Sequence, residues 1–233
     1  MTSAPRRERA SPLRASPRAL LAPLPLDSAV VTSAKEALGV PARVALTDHF
    51  AVVSSADAPA DEALLSCLEG VYRAHVRFLV RMGIRVTPPA GKLVVILHHD
   101  EDRFLALAAQ RSGLPAHTLG FFDPHQNAAF LLDLSATSEV RALAAPAPTS
   151  APAPDDSRAR LRGVAATRCR TLELGIVRHE AAHLIQWNVG LLAAAPMPAW
   201  LAEGLAMCFE RTFTPDGEPL DHGAGSRLTE LSA

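Results

Sequence analysis

The sequence predicts an α+β domain in which a small mixed or antiparallel sheet packs on a helix that carries the candidate site residues, followed by a second helix. Three observations carry this. Leu93-Val94-Val95-Ile96-Leu97 is a short apolar run rich in β-branched residues, the pattern of a buried strand. Leu64, Leu65, Leu68, Val71, Tyr72, Val76 and Leu79 recur at three and four, so they share one face of a helix. Leu174, Val177, Ala181, Leu184 and Ile185 repeat that spacing further on, and Gly190 is suited to the left-handed residue that closes a helix.

The elements follow in order. Residues 1–41 are rich in Ala, Pro and Ser, with Arg6, Arg7, Arg9, Arg14 and Arg18 clustered first, and read as a disordered basic tail. A targeting signal is the alternative, because basic residues precede the apolar stretch Ala19 to Leu26, although Pro23 and Pro25 interrupt it. The folded domain is expected over 42–213. Val44 to Ser54 reads as one strand, stopped by Ser54-Ser55-Ala56-Asp57, and Asp61 to Met82 as a helix. Pro88, Pro89 and Gly91 turn the chain into the strand at 93–97, and a helix is expected from about Asp100 to Arg111. Leu119 to Phe122 and Ala128 to Leu134, separated by Asp123-Pro124-His125-Gln126-Asn127, form a hairpin pattern.

Pro146, Pro148, Pro152 and Pro154 are too closely spaced for a regular element, so 142–160 reads as a flexible Ala/Pro-rich insertion, with a lid over a cleft as the alternative. Residues 214–233 form a short C-terminal tail. Thr214-Pro215-Asp216-Gly217 is a turn, and Ser226 to Leu231 resembles the opening of a helix that stops early.

The chemistry lies in His179-Glu180-Ala181-Ala182-His183 and in Glu203 of Pro198-Ala199-Trp200-Leu201-Ala202-Glu203-Gly204. A helix turns about 100° per residue, so residues four apart stand one turn apart on one face and both imidazoles reach one ion. Pro198 suits a first helical position, so a second helix starts near it and a short turn brings Glu203 back to the histidines. Two His and one Glu leave the fourth position of a tetrahedral zinc open to water, the arrangement of a catalytic rather than a structural site. Glu180 lies beside the first ligand and is expected to take a proton from the water and deliver it to the leaving nitrogen.

The His179 to His183 motif, the run Pro198-x-Trp200-Leu201-x-Glu203-Gly204-Leu205-Ala206 and Phe209-Glu210 resemble the gluzincin metallopeptidases, and more closely the peptidase MA-like bacterial proteins, which include a family catalogued as a domain of unknown function. The likeness covers roughly residues 44 to 213, with sharp motifs between 179 and 210. It implies a zincin-like fold, one Zn2+ ion, a peptide or protein substrate, and an edge strand before the metal helix that pairs with extended substrate, for which Ala128, Ala129, Phe130, Leu131 and Leu132 are the candidates. Such proteins usually supply a Tyr or His after the third ligand to stabilise the oxyanion. The only tyrosine here is Tyr72, so His222 takes that place as the candidate, with Arg211 or Arg227 as alternatives, and the chain reads as a truncated member.

Other residues carry two readings each. Glu210 falls seven residues beyond Glu203, on the same helical face, and either orients a metal ligand from behind or is a solvent-facing or helix-packing carboxylate. Asp133 has the same two readings. His98 and His99 suggest a second metal, but adjacent residues on a strand point to opposite faces. His117 and His125 read as loop histidines, with His125 able to line the substrate strand, while Trp200, Met207 and Phe209 read as core contacts. A net charge of −1 argues against a general nucleic-acid binder, and no stretch approaches the roughly 18 apolar residues of a membrane span. Cys67, Cys169 and Cys208 lack paired spacing and read as buried free thiols in a reducing, cytoplasmic compartment, with export as the alternative. The expected function is zinc-dependent peptide-bond hydrolysis; an inactive zinc domain that binds extended peptides is the alternative.

Overall fold

A computed structural model describes residues 16–111, 113–115, 117–144, 156–192, 197–214 and 216–219. It is a mixed α+β structure around one five-stranded sheet. The strands are β1 (Ala42–Leu46), β2 (Phe50–Ser55), β3 (Leu93–His98), β4 (Gly120–Asp123) and β5 (Ala128–Leu132), in the spatial order β1-β2-β3-β5-β4. β2, β3 and β5 run parallel in the centre, while β1 and β4 are antiparallel edges. The expected single strand over Val44 to Ser54 is instead two. Thr47 folds the chain back, its backbone N–H donating to the Phe50 carbonyl at 3.0 Å and its hydroxyl accepting from Phe50 N–H at 3.0 Å.

Helices α1 (Pro17–Leu20) and α2 (Ser28–Leu38) lie within the stretch expected as a disordered tail up to residue 41; residues 1–15 lie outside the described chain. Asp27 caps α2, and Val31, Ala34 and Leu38 bury its inner face, so the apolar residues of this Ala-rich stretch serve the core. The helix α3 (Glu62–Arg81) follows its periodicity closely, with Asp61 accepting from Leu64 N–H as N-cap. α4 spans Glu101–Ala109, capped by Asp100. α5 spans Ser138–Ala144 and α6 spans Asp156–Asn188, so the insertion expected over 142–160 begins and ends in helix, and 145–155 lie outside the described residues.

Side chains alternate across a strand, which assigns the helices to faces. Val94 and Ile96 border α2, whereas Leu97 borders Leu64 of α3 and Glu173 of α6. β3 is buried along its whole length because helices cover both its faces. α6 is pinned on the sheet by Arg170, which forms ion pairs with Asp61 at the start of α3 and with Glu173. Glu173 in turn accepts from Leu134 N–H at 3.3 Å. At the other end Gly190, with φ of +82°, closes α6: its N–H donates to the Trp187 carbonyl at 3.0 Å and Leu191 N–H to the Gln186 carbonyl at 2.9 Å. Among the described residues no helix is long and apolar enough to cross a membrane.

Candidate metal centre

His179 and His183 project from α6, the helix whose opposite stripe of Val177, Ala181, Leu184 and Ile185 is sealed in the core. After α6 the chain returns through α7 (Ala199–Met207), which begins after Pro198 and presents Glu203. One donor atom from each of His179, His183 and Glu203 lies within 4.8 Å of the others. The separations are 3.2 Å between the two histidine Nε2 atoms, 3.2 Å from His179 Nε2 to Glu203 Oε2, and 3.4 Å from His183 Nε2 to Glu203 Oε1. Donors placed tetrahedrally at about 2.1 Å from a common ion stand about 3.4 Å apart, so the two Nε2 atoms, each with a different oxygen of the Glu203 carboxylate beside it, are spaced as neighbouring ligands of one zinc ion would be.

Beyond the cluster, Glu210 Oε1 lies 2.8 Å from Nδ1 of His179. α7 stops at Met207, so Glu210 is not on the helical face it was expected to share with Glu203; it arrives from the following chain, whose carbonyl at Glu210 accepts from Arg178 Nε at 2.7 Å. A carboxylate on Nδ1 holds the proton there and turns the Nε2 lone pair to the cluster. Burial opposes a charge on His179, but the Glu210 hydrogen bond and the carboxylates of Glu180, Glu210 and Glu203 outweigh it and hold its pKa above the ordinary value. His183 moves the other way, through burial and then the neighbouring His179 charge, with Glu203 only partly offsetting both. The two rings are buried, whereas the Glu203 side chain is 59% exposed, so the cluster opens to solvent on its α7 side.

That opening is a cleft of about 680 Å³ in which Glu180 joins His179, His183 and Glu203. Its far wall is made by residues 113–115 and 117–122, which include the start of the edge strand β4. Here Gly120 meets α6 so closely that an added Cβ would lie 2.7 Å from Ile176 Cγ2 and 3.1 Å from Glu180 Cγ. Only glycine permits that approach.

The expected substrate strand, Ala128 to Leu132, requires correction. β5 is bonded to β3 on one side and β4 on the other and is buried throughout, so it has no free edge. The edge beside the cleft is β4. His125 sits in the β4–β5 turn, where its N–H donates to Asp123 Oδ1, and borders α2 rather than the cleft. Asp133 bonds His99 Nδ1 at 2.7 Å and the Ser135 hydroxyl, and so does not serve the cluster. His98 is buried against Phe104 and Phe130, apart from His99, and the metal-capable group among the described residues contains neither. Trp200 is 74% exposed and Met207 is exposed, so neither is the core contact expected; Phe209 is, stacked on His75 at 3.4 Å between ring centroids. The three cysteines are free, with Cys67 and Cys169 half-buried and Cys208 exposed rather than buried.

His222 and Arg227 lie outside the described residues, and Arg211 is not among the side chains of the cleft. Tyr72 is remote from it: the buried hydroxyl donates to the Leu20 carbonyl at 2.8 Å, the ring stacks on His49, and burial followed by the Glu69 charge pushes its pKa up. His117, read from the sequence as a plain loop residue, lines the cleft with Glu180. Its position three residues before an edge-strand glycine was the signal available.

Residues 173–225 match the family described as "Protein of unknown function (DUF1570)", a span that takes in the histidine-bearing part of α6, all of α7 and Glu210. No curated protein and no solved structure gives a significant match to the chain.

Proposed function

We propose that the chain is a zinc-dependent peptidase of the gluzincin type with a zincin-like arrangement, in which His179, His183 and Glu203 hold the ion and Glu180 is the general base. The observation that carries this reading is the convergence of those three donors at tetrahedral spacing in one cleft with Glu180. Zinc bound there would lower the pKa of a water toward neutrality and polarise the substrate carbonyl. The rest falls to the chain's own residues. Glu180 accepts a proton from the attacking water and passes it to the departing amide nitrogen. Glu210 holds the His179 ring by Nδ1, leaving Nε2 beside His183 and Glu203, where it would be available to an ion. β4 offers an open backbone edge on which an extended peptide lies as an added strand, so recognition there reads backbone as much as side chains.

A second reading is a zinc domain that grips peptides without turnover, and the remoteness of Tyr72 favours it. Zinc stoichiometry combined with hydrolysis of a mixed peptide library, on the parent and on Glu180→Gln, separates the readings. The peptidase binds one zinc in both proteins and loses at least about 100-fold in hydrolysis in the variant. Equal cleavage by the two would remove Glu180 from its role, and zinc binding without turnover by the parent would favour the second reading.

A further inference from the structure

We infer that His117 is the transition-state donor of this site, placing a ring N–H on the oxygen that becomes negative when water adds to the peptide carbonyl. The inference rests on the peptidase reading above. Water addition leaves a full charge on that oxygen, and a positioned donor in a water-poor cleft stabilises it far more than solvent does. Of the side chains lining the cleft, His179, His183, Glu203 and Glu180 are already engaged as ligands and base. Thr118 turns its hydroxyl back to the Pro115 carbonyl at 2.8 Å. The remaining lining is glycine, proline, alanine, leucine, isoleucine and phenylalanine, so His117 is the one further side-chain donor there among the described residues.

Its placement is held from both sides. Thr118 N–H and hydroxyl both bond the Pro115 carbonyl, closing a turn around His117. Three residues on, Gly120 is clamped against Ile176 and Glu180. Three residues of chain span at most about 11 Å, which ties His117 to the end of the cleft that carries the base. His117 is exposed and lines the cleft, and among the described residues no hydrogen bond engages its ring.

The test uses the full chain loaded with zinc, as parent, His117→Ala and His117→Gln, the last keeping a donor. A peptide phosphonamidate, whose tetrahedral anion copies the charged oxygen, is titrated beside the uncleaved peptide of the same sequence, using Glu180→Gln as background so that the peptide persists. His117→Ala should weaken the phosphonamidate by 10- to 100-fold, as losing one oxyanion donor does, leave peptide affinity within about threefold and leave zinc stoichiometry unchanged. His117→Gln should recover part of the loss. Equal weakening of both ligands would make His117 a wall of the cleft, and unchanged phosphonamidate binding, or none by the parent, would overturn the inference. If hydrolysis and zinc binding stand while these fail, the peptidase reading survives alone; if the parent takes up no zinc, both fall.

Discussion

Glu210 Oε1 lies 2.8 Å from Nδ1 of His179, joining the chain that leaves α7 to the first histidine of α6. A ligand whose far nitrogen is bonded to a carboxylate is a better donor in a fixed tautomer, and removing such a partner typically costs about 10- to 100-fold in metal affinity. Glu210→Gln keeps an acceptor and loses the charge; Glu210→Ala loses both. Competition with a chelator should therefore show zinc affinity falling about tenfold in the first and toward 100-fold in the second. Equal affinities in all three proteins would make the carboxylate a packing group.

Gly120 supports a second prediction, on the opposite wall. A Cβ at this position would stand 2.7 Å from Ile176 Cγ2, a branch on a stiff β-branched side chain in the middle of α6. Relief requires β4 or α6 to move. Gly120→Ala should lower the unfolding free energy by about 1–3 kcal/mol in urea titrations, and should reduce peptide turnover more than zinc affinity, because the added Cβ crowds Glu180 as well as Ile176 and meets neither histidine. Unchanged stability would mean that the edge strand is free to shift.

The contrast between β4 and β5 shows what the sequence could convey. Local patterns placed α3 within a residue of its ends, since periodicity and the Asp61 cap both act within a few residues. The same locality found the two His of α6 and the helix that returns Glu203. Strand order has no such local signature, so the edge position that the family resemblance implies for Ala128 to Leu132 has nothing in the residues to test it. Its unbroken Ala-Ala-Phe-Leu-Leu run suits a strand covered on both faces and flanked by partners, whereas Gly120-Phe121-Phe122-Asp123 is short and alternately buried, as an edge is. Trp200 failed for another reason: apolar residues also populate surfaces, and one on a nine-residue helix carries little information about which side is covered.

Acid sensitivity follows from His98. Burial, then the charge of Arg103, lowers its pKa to about 4 against a partial offset from Asp100, and its buried Nε2 has no hydrogen-bond partner among the described residues. The fold thus favours the neutral ring. The unfolded chain, titrating near 6.5, binds more protons than the folded one between the two values. The stability that His98 contributes is complete above pH 6.5 and is lost as pH falls toward 4, at up to about 1.4 kcal/mol per pH unit. His98→Leu removes that proton uptake, so denaturant titrations at pH 7, 6 and 5 should show a shallower loss than in the parent. Parallel curves would show that the ring is solvated.

The last prediction concerns α7, which has only Ala206 fully buried and hangs its one cluster ligand, Glu203, on the exposed side of the site. A nine-residue helix with so little apolar burial is expected to open locally at low cost, while α3, with nine buried residues, is expected to open together with the core. Under the zinc reading proposed above, an ion held by Glu203 and the α6 histidines would act on α7 as a staple. Zinc at about 100 times its dissociation constant adds about 2.7 kcal/mol to any opening that breaks the site. Hydrogen exchange on the full chain should accordingly slow at 199–207 when zinc is added to metal-free protein, and return to its former rate with chelator. Glu203→Ala should remove that protection at α7 while leaving α3 unaffected, because the histidines alone do not reach the second helix. Protection that rises equally in α3 and α7 would instead mean that zinc stabilises the domain as a single unit.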